Sequence, residues 1–475
     1  MSEEPRMHPS PPGPWPRVLH LTQPVDGGVA RVVAELTVAQ LAAGMGVTVG
    51  CPDSGLADRL RSAGADVRTW RATRAPGPSL AGEVRQLARI VAEVRPDLVH
   101  AHSAKAGLAG RLAVRGRIPT VFQPHAWSFE AVGGVTAALA LGWERYGARW
   151  AHRTVCVSEA ERATGLRAGI DGRWVVIPNG VDPRRFRPAA PDLDPGTIAA
   201  PDRAPGTVGP HRGRGTVTGD DRDPGPGDGP SAPAPGPDAL DGASGRPGPG
   251  GRPVPGTGPG AGSGTRPDRD AGAVRAALLP GTGPRVPLVV CVGRLCRQKG
   301  QDVLLDAWPA VRARVPDARL VLVGDGPDRD RLKPSASVRL VGAVADVVPW
   351  YQAADLVVLP SRWEGMALAP LEAMACGRPV VVTDVDGARE SLPPALRPHC
   401  LVPAGDPAAL AGAVARLLLD PPLRASLGHR ARRHILSAHD ARHTAAAVAD
   451  LYRDLLGRGP GAREVPTEYR ESIHS

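Results

Sequence analysis

Lysine is nearly missing. It occurs only at positions 105, 299 and 333, so the formal net charge of +10 rests on arginine. That excess is diffuse, with no basic block of five or six residues and no nucleic-acid recognition motif, so nucleic acid is not an expected partner. A spread positive charge suits an anionic ligand or an acidic membrane surface. Aromatics are scarce as well, 9 Trp, 4 Tyr and 3 Phe in 475 residues. The six cysteines (Cys51, Cys156, Cys291, Cys296, Cys376, Cys400) show no Cys-x-x-Cys or Cys/His ligand spacing and sit mostly in or beside apolar runs, the pattern of reduced, buried thiols. No apolar run approaches the ~18 to 20 residues of a membrane span. The first residues carry Glu3 and Glu4 and run into proline, without the basic region and apolar core of a secretory signal. The expected location is the cytoplasm, with peripheral contact at the inner face of the plasma membrane.

Glycine and proline are abundant but unevenly placed. Between Pro191 and Asp270 lie 20 Gly and 17 Pro in 80 residues, with no aromatic. Such a stretch cannot bury enough apolar surface to offset its ordering entropy, so residues 189–274 read as a disordered, low-complexity linker. On either side, short apolar runs alternate with helical periods. In the first block strands fall at 18–21, 47–49, 67–70, 97–102 and 120–123, with helices at 29–43, 80–94 and 104–114. In the second, strands fall at 286–292, 319–323, 338–341, 356–359 and 380–383, with helices at 302–315 and 371–376. This alternation predicts two doubly wound, parallel α/β domains, Rossmann-like in class, with ligands beyond the carboxyl ends of the strands in the cleft between them.

Two motifs fall in those loops. Gly293-Arg294-Leu295-Cys296-Arg297-Gln298-Lys299-Gly300 follows an apolar strand and precedes a helix. Two cations leaving one strand end can neutralise a diphosphate without a metal ion; taken alone they are equally two solvated charges. Glu364-Gly365-Met366-Ala367-Leu368-Ala369-Pro370-Leu371-Glu372 follows the strand at 356–359. Pro370 fits the first position of a helix, placing Glu372 in its first turn and Glu364 in the loop before it. A helix amino end attracts phosphate, and a carboxylate beside it can accept from a ribose diol. Taken alone, the simpler reading prevails, that Glu372 only complements the helix dipole, worth ~0.3 to 1 kcal/mol.

Together with Gly324-Asp325-Gly326-Pro327, Gly377-Arg378-Pro379-Val380-Val381, Pro178-Asn179-Gly180-Val181-Asp182 and Gly27-Gly28, these motifs resemble, in order and spacing, the family-four retaining nucleotide-sugar glycosyltransferases of GT-B fold. The resemblance covers residues 17–188 and 285 to about 456. It implies a cleft enzyme of polysaccharide or glycolipid assembly, with Arg294 and Lys299 on the donor diphosphate, Glu372 on the ribose and Glu364 beside the donor sugar. It places Gly27, Gly28, Gly293, Met366, Ala367 and Leu368 in the donor-binding loops, and His125 as the active-site histidine that hydrogen-bonds the sugar. It implies no cofactor and no catalytic metal, the acceptor hydroxyl attacking on the face the diphosphate leaves. The domains then read as a tail at 1–16, an acceptor-side domain at 17–188, the linker at 189–274, a nucleotide-sugar domain at 275–437, a helix at 438–458 crossing back to the first domain, and a tail at 459–475.

The chain departs from the pattern at Ala367, where glycine is usual, and at Val385-Asp386-Gly387, where a glycine pair is commoner. On the acceptor side, His100-Ala101-His102-Ser103-Ala104-Lys105 resembles members that extend lipid-linked sugars, so a polyprenyl- or lipid-linked sugar is the expected acceptor. His100 and His102 share one side of a strand, but the sequence offers no third metal ligand. Phe122, Trp127, Phe129, Trp143, Tyr146 and Trp150 suit either docking of a lipid or packing beneath the cleft. The rival readings are a nucleotide-sugar epimerase on the same fold and a non-catalytic nucleotide-sugar binder.

Overall fold

The computed structural model describes residues 16–74, 77–189, 266–283 and 285–457. The first sheet is built from β1 (Arg17–Thr22), β2 (Gly46–Cys51), β3 (Asp66–Thr69), β4 (Leu98–His102), β5 (Thr120–Gln123), β6 (Arg153–Cys156) and β7 (Trp174–Val176). The second holds β8 (Leu288–Val292), β9 (Arg319–Val323), β10 (Val338–Gly342), β11 (Leu356–Leu359), β12 (Val380–Thr383) and β13 (Leu401–Val402). Their orders are β3-β2-β1-β4-β5-β6-β7 and β10-β9-β8-β11-β12-β13, and the pairings are parallel. Both sheets belong to one compact unit. Helices cover both faces, which is why β4, β8, β11 and β12 are buried along their whole length. In each sheet the order reverses once, between β1 and β4 and between β8 and β11, and a crevice opens at the strand carboxyl ends there.

The helix Ala441–Leu455 packs on Gly27–Ala42 of the first block. Val181 forms a parallel bridge with Asp440, and a Cβ at Gly180 would lie 2.7 Å from Ala441 N, so only glycine allows this approach.

Several expectations shift. The helix after β11 runs Leu368–Ala375 rather than from 371, so Pro370 is its third residue and its first turn holds no acidic residue. The short strands β6, β7 and β13 were not anticipated. Residues 190–265, most of the expected linker, lie outside the described residues, as do 1–15 and 458–475. A described helix, Arg266–Leu278, begins inside the span assigned to the linker. Its Val274 and Arg275 are buried, Arg275 donating to Ala353 O at 2.7 Å and pairing with Asp355 at 2.9 Å. All six cysteines are free and all but Cys296 are buried. Among the described residues no helix is long and apolar enough to cross a membrane.

Candidate active site

The loop after β8 and the loop after β11 are fastened together. Gly300 has φ +65°, and a Cβ there would sit 2.0 Å from Pro360 O, so glycine lets the two chains touch. Arg362 N donates to Gln298 O at 2.7 Å, and the Arg362 guanidinium grips both carboxylate oxygens of Asp302 at 2.8 and 2.7 Å. This brings Lys299 and Glu364 together, with Arg294 on the same loop after β8. Lys299 Nζ lies 2.5 Å from Glu364 Oε1, which also accepts from Ser361 Oγ at 2.7 Å. Arg294 is partly exposed, and its guanidinium has no partner among the described residues. Of the two motif cations, Lys299 is thus neutralised by a buried carboxylate and Arg294 is left unpaired.

Glu372 is not open. It is 1% exposed, with Oε1 on the Arg31 guanidinium and Oε2 accepting from Tyr351 OH at 2.7 Å. Burial pulls the Arg31 pKa down, but Glu372 and Tyr351 outweigh it and the net shift is upward. Glu35, one turn further along the same helix, is pushed up to about 7, first by burial and then by Glu372. The ion pair joins the first helix of one domain to the motif helix of the other.

More polar contacts bridge the cleft. Gly365 O accepts from Ser158 Oγ at 3.0 Å and Met366 O from Asn179 Nδ2 at 2.7 Å. Glu390 accepts from Glu159 N and Ala160 N at 2.7 and 2.8 Å, at the amino end of the helix Glu159–Arg167. Gly28 faces Leu368, its ideal Cβ 3.9 Å from Leu368 Cδ1, while Gly27 takes φ +72°. The departures noted in the sequence cause no strain. Ala367 has φ −69° and ψ 137°, which any residue adopts. Gly387 keeps φ +73° under the Gly365 carbonyl, where a Cβ would collide at 1.8 Å, and Asp386 accepts from Thr164 Oγ1 at 2.6 Å.

His125 follows β5 in a strained turn, with φ +55° at His125 and +89° at Ala126. Non-glycine residues hold such angles at a cost of ~1 to 3 kcal/mol each when their surroundings enforce them. The enforcing group is Glu161, absent from the sequence reading. Its carboxylate accepts from Ala126 N at 2.6 Å and Val157 N at 2.7 Å, and its own carbonyl accepts from Trp127 Nε1 at 2.8 Å. Burial lifts Glu161 to about 7 against those two N–H bonds. Burial lowers His125 to about 3, so it is neutral at physiological pH.

Behind His125 lies a row of buried imidazoles. His125 Nε2 is 3.2 Å from His102 Nδ1, His102 Nε2 is 2.9 Å from His20 Nδ1, and His20 Nε2 is 2.8 Å from Gln40 Oε1. His100 Nδ1 contacts Tyr452 OH at 2.6 Å. His20, on β1, thus joins the His100/His102 pair that sequence left without a third member, the three offering ring nitrogens within 4.8 Å of one another. The aromatic group divides: Phe122 and Trp127 are core, with Arg111 stacked 4.0 Å over Phe122. On the helix Gly134–Gly147, by contrast, Val135 is 77% and Leu139 70% exposed.

Residues 26–185 match the family model described as Glycosyltransferase Family 4, and residues 286–420 the one described as Glycosyl transferases group 1. The chain carries one such domain on each sheet. It is 37% identical over 201 residues to a GDP-mannose-dependent alpha-(1-6)-phosphatidylinositol monomannoside mannosyltransferase of Mycolicibacterium smegmatis, covering 39% of this chain and 52% of the relative. It is 34% identical to a lipopolysaccharide core biosynthesis mannosyltransferase of Rhizobium leguminosarum, over 40% of this chain and 56% of that one. The chain thus spans about half the length of the curated relatives it matches. Among solved structures, Anabaena HepE in complex with UDP-glucose superposes with TM-score 0.64 at 21% identity, over 92% of this chain and 100% of the other. WaaG, a glycosyltransferase involved in lipopolysaccharide biosynthesis, superposes with TM-score 0.60 at 15% identity, over 92% and 99%. These likenesses establish the two-sheet GT-B fold.

Proposed function

We propose that this pair of glycosyltransferase domains moves a sugar from a nucleotide-sugar donor to an acceptor hydroxyl, with retention at the anomeric carbon and without a catalytic metal. The observation that carries the reading is the crevice at the β8 and β11 carboxyl ends, where Arg294 is unpaired and Lys299 is held by Glu364. The diphosphate takes the free guanidinium and the Lys299 ammonium, which stabilise the charge that grows as the sugar–phosphate bond opens. Glu364, fixed by Lys299 and Ser361, accepts from a sugar hydroxyl. Glu372 takes the ribose diol once Arg31 yields. Neutral His125 meets the sugar from the other domain. The acceptor hydroxyl attacks from the face the diphosphate leaves, and the leaving phosphate oxygen receives its proton.

The names of the mannosyltransferase relatives support a mannosyl donor and a lipid-linked acceptor for this chain. The exposed Val135 and Leu139, with Arg145 and Arg149 nearby on the chain, suit peripheral contact with an anionic membrane at its cytoplasmic face. Nothing in the site favours the epimerase. The test is transfer from a panel of guanosine, uridine and adenosine diphosphate sugars, with and without chelator, the anomer of the product read by NMR. An inverted product, chelator-abolished transfer, or nucleotide release that needs no acceptor would each refute a part of the reading.

A further inference from the structure

The row of imidazoles behind His125 ends on the oxygen of the Gln40 amide. An amide oxygen only accepts hydrogen bonds, so at 2.8 Å from Gln40 Oε1 the nitrogen His20 Nε2 carries the proton. His20 is buried and neutral, its pKa lowered to about 4 by desolvation, which leaves Nδ1 bare. The bare Nδ1, 2.9 Å from His102 Nε2, requires the proton on that nitrogen. His102, also held neutral by burial, then has a bare Nδ1, and the 3.2 Å contact requires the proton of His125 on Nε2. His125 Nδ1 is left as a lone pair, and it has no hydrogen-bond partner among the described residues.

We propose that Gln40, acting through His20 and His102, is the positioning residue that fixes the tautomer of His125, so that His125 offers the donor sugar an acceptor nitrogen and not an N–H. The part concerning the sugar rests on the function proposed above; the tautomer does not. A three-histidine metal site is the competing use of the same residues, since His20, His100 and His102 gather their nitrogens within 4.8 Å. The hydrogen-bonded chain is favoured because His20 Nδ1 and His102 Nε2 already satisfy each other, and the second nitrogen of each is taken by Gln40 and His125.

The experiment is nitrogen NMR on the full chain with labelled histidine, which separates protonated from bare ring nitrogens. At neutral pH the expected result is an Nε2–H tautomer at His20, His102 and His125 alike. Gln40→Met, which keeps the volume and removes the acceptor, is expected to mix the His125 tautomers. It is also expected to lower turnover ~10-fold, about the worth of one hydrogen bond, with the donor KM little changed. Nδ1–H at the three rings, the pattern of an amide turned the other way, overturns the proposal. So does an unaltered His125 in Gln40→Met, or one zinc ion per chain whose removal by chelator shifts these signals. If Gln40→Met does not fold, the wild-type tautomers decide alone. Mixed tautomers with unchanged turnover would overturn the link to the sugar and leave the diphosphate crevice to stand or fall by the donor panel.

Discussion

Substitution of either partner in the Arg31–Glu372 pair separates a purely structural bridge from a donor site that the bridge occupies. Glu372 is 1% exposed and Arg31 25%, so the two deletions are not symmetric. Arg31→Ala leaves a buried carboxylate with only the Tyr351 hydroxyl at 2.7 Å. Breaking a buried pair this way costs ~3 to 5 kcal/mol when both ions are deep, and partial access of water to Arg31 puts the expectation near ~3. Glu372→Gln keeps an amide oxygen for Arg31, which can also turn to water, and should cost ~1 to 2 kcal/mol, the difference between a charged and a neutral hydrogen bond. Binding should move oppositely. Glu372→Gln loses the charged grip on the ribose diol and should weaken nucleoside diphosphate ~10-fold or more. Arg31→Ala removes the competitor for Oε1 and should bind as well as wild type or better. The assays are urea unfolding and calorimetric titration of guanosine and uridine diphosphates. Equal weakening in both variants, or wild-type affinity in Glu372→Gln, would refute the assignment of Glu372 to the ribose.

The crevice cations should part company. Arg294→Ala and Lys299→Ala are each expected to lower turnover ~100-fold or more, but only Lys299→Ala strands the buried Glu364 and should also lower the melting temperature; near wild-type rates in both would sink the diphosphate reading. Replacing residues 191–264 by a short Gly/Ser link should leave cooperative unfolding unchanged, whereas cutting on to residue 279 removes the buried Val274 and Arg275 and should destabilise markedly; loss of cooperativity in the shorter deletion counts against it. Glu161→Gln should relax the strained His125–Ala126 turn and cost ~1 to 3 kcal/mol, since it weakens two charge-assisted N–H bonds; an unchanged urea midpoint would contradict that role. Acidification should destabilise the fold. From about pH 6.5 downward the unfolded chain protonates His20, His100, His102, His125, His152, His434 and His439, while in the folded chain burial lowers all seven and delays those protons. Glu35, Glu130 and Glu161, raised to about 7 by burial, act in the opposite sense over the same range. Seven against three leaves the lowered histidines in the majority, so stability should fall on acidification through this range; a rise in the urea midpoint between pH 6.5 and 5.5 would reverse the argument.

What sequence revealed and what it hid follow from how each residue reaches the site. Arg294, Lys299, Glu364 and Glu372 lie in two contiguous loops at strand ends, so strand–loop–helix alternation was enough to bring them to one edge of one sheet. The apolar runs of β8 and β11 are as readable as the fold they make, because a strand buried on both faces admits little but Val, Leu and Cys. β7 and β13, at three and two residues, are too short for any period to register, and β6 opens on Arg153 and Thr154 and leaves no apolar run long enough to read. The partners were hidden by distance along the chain. Arg31 stands 341 positions from Glu372 and Tyr452 352 from His100, and Arg31 is one arginine among many in the chain, set in a mostly apolar helix. Glu161 sits in a helical first turn, where acidic residues are ordinary. His20 and Gln40 could have raised suspicion, since a histidine between leucines in a strand and a glutamine on the covered side of a helix are both polar groups that must find a partner once buried. That partner could be named only after β1 and β4 were known to be neighbours, because the pairing of His20 beside His100 in register is what turns two unexplained polar residues into one chain of hydrogen bonds leading to His125. The motifs thus supply the groups proposed to meet the donor, and the topology supplies the buried groups that set their charge, angle and proton.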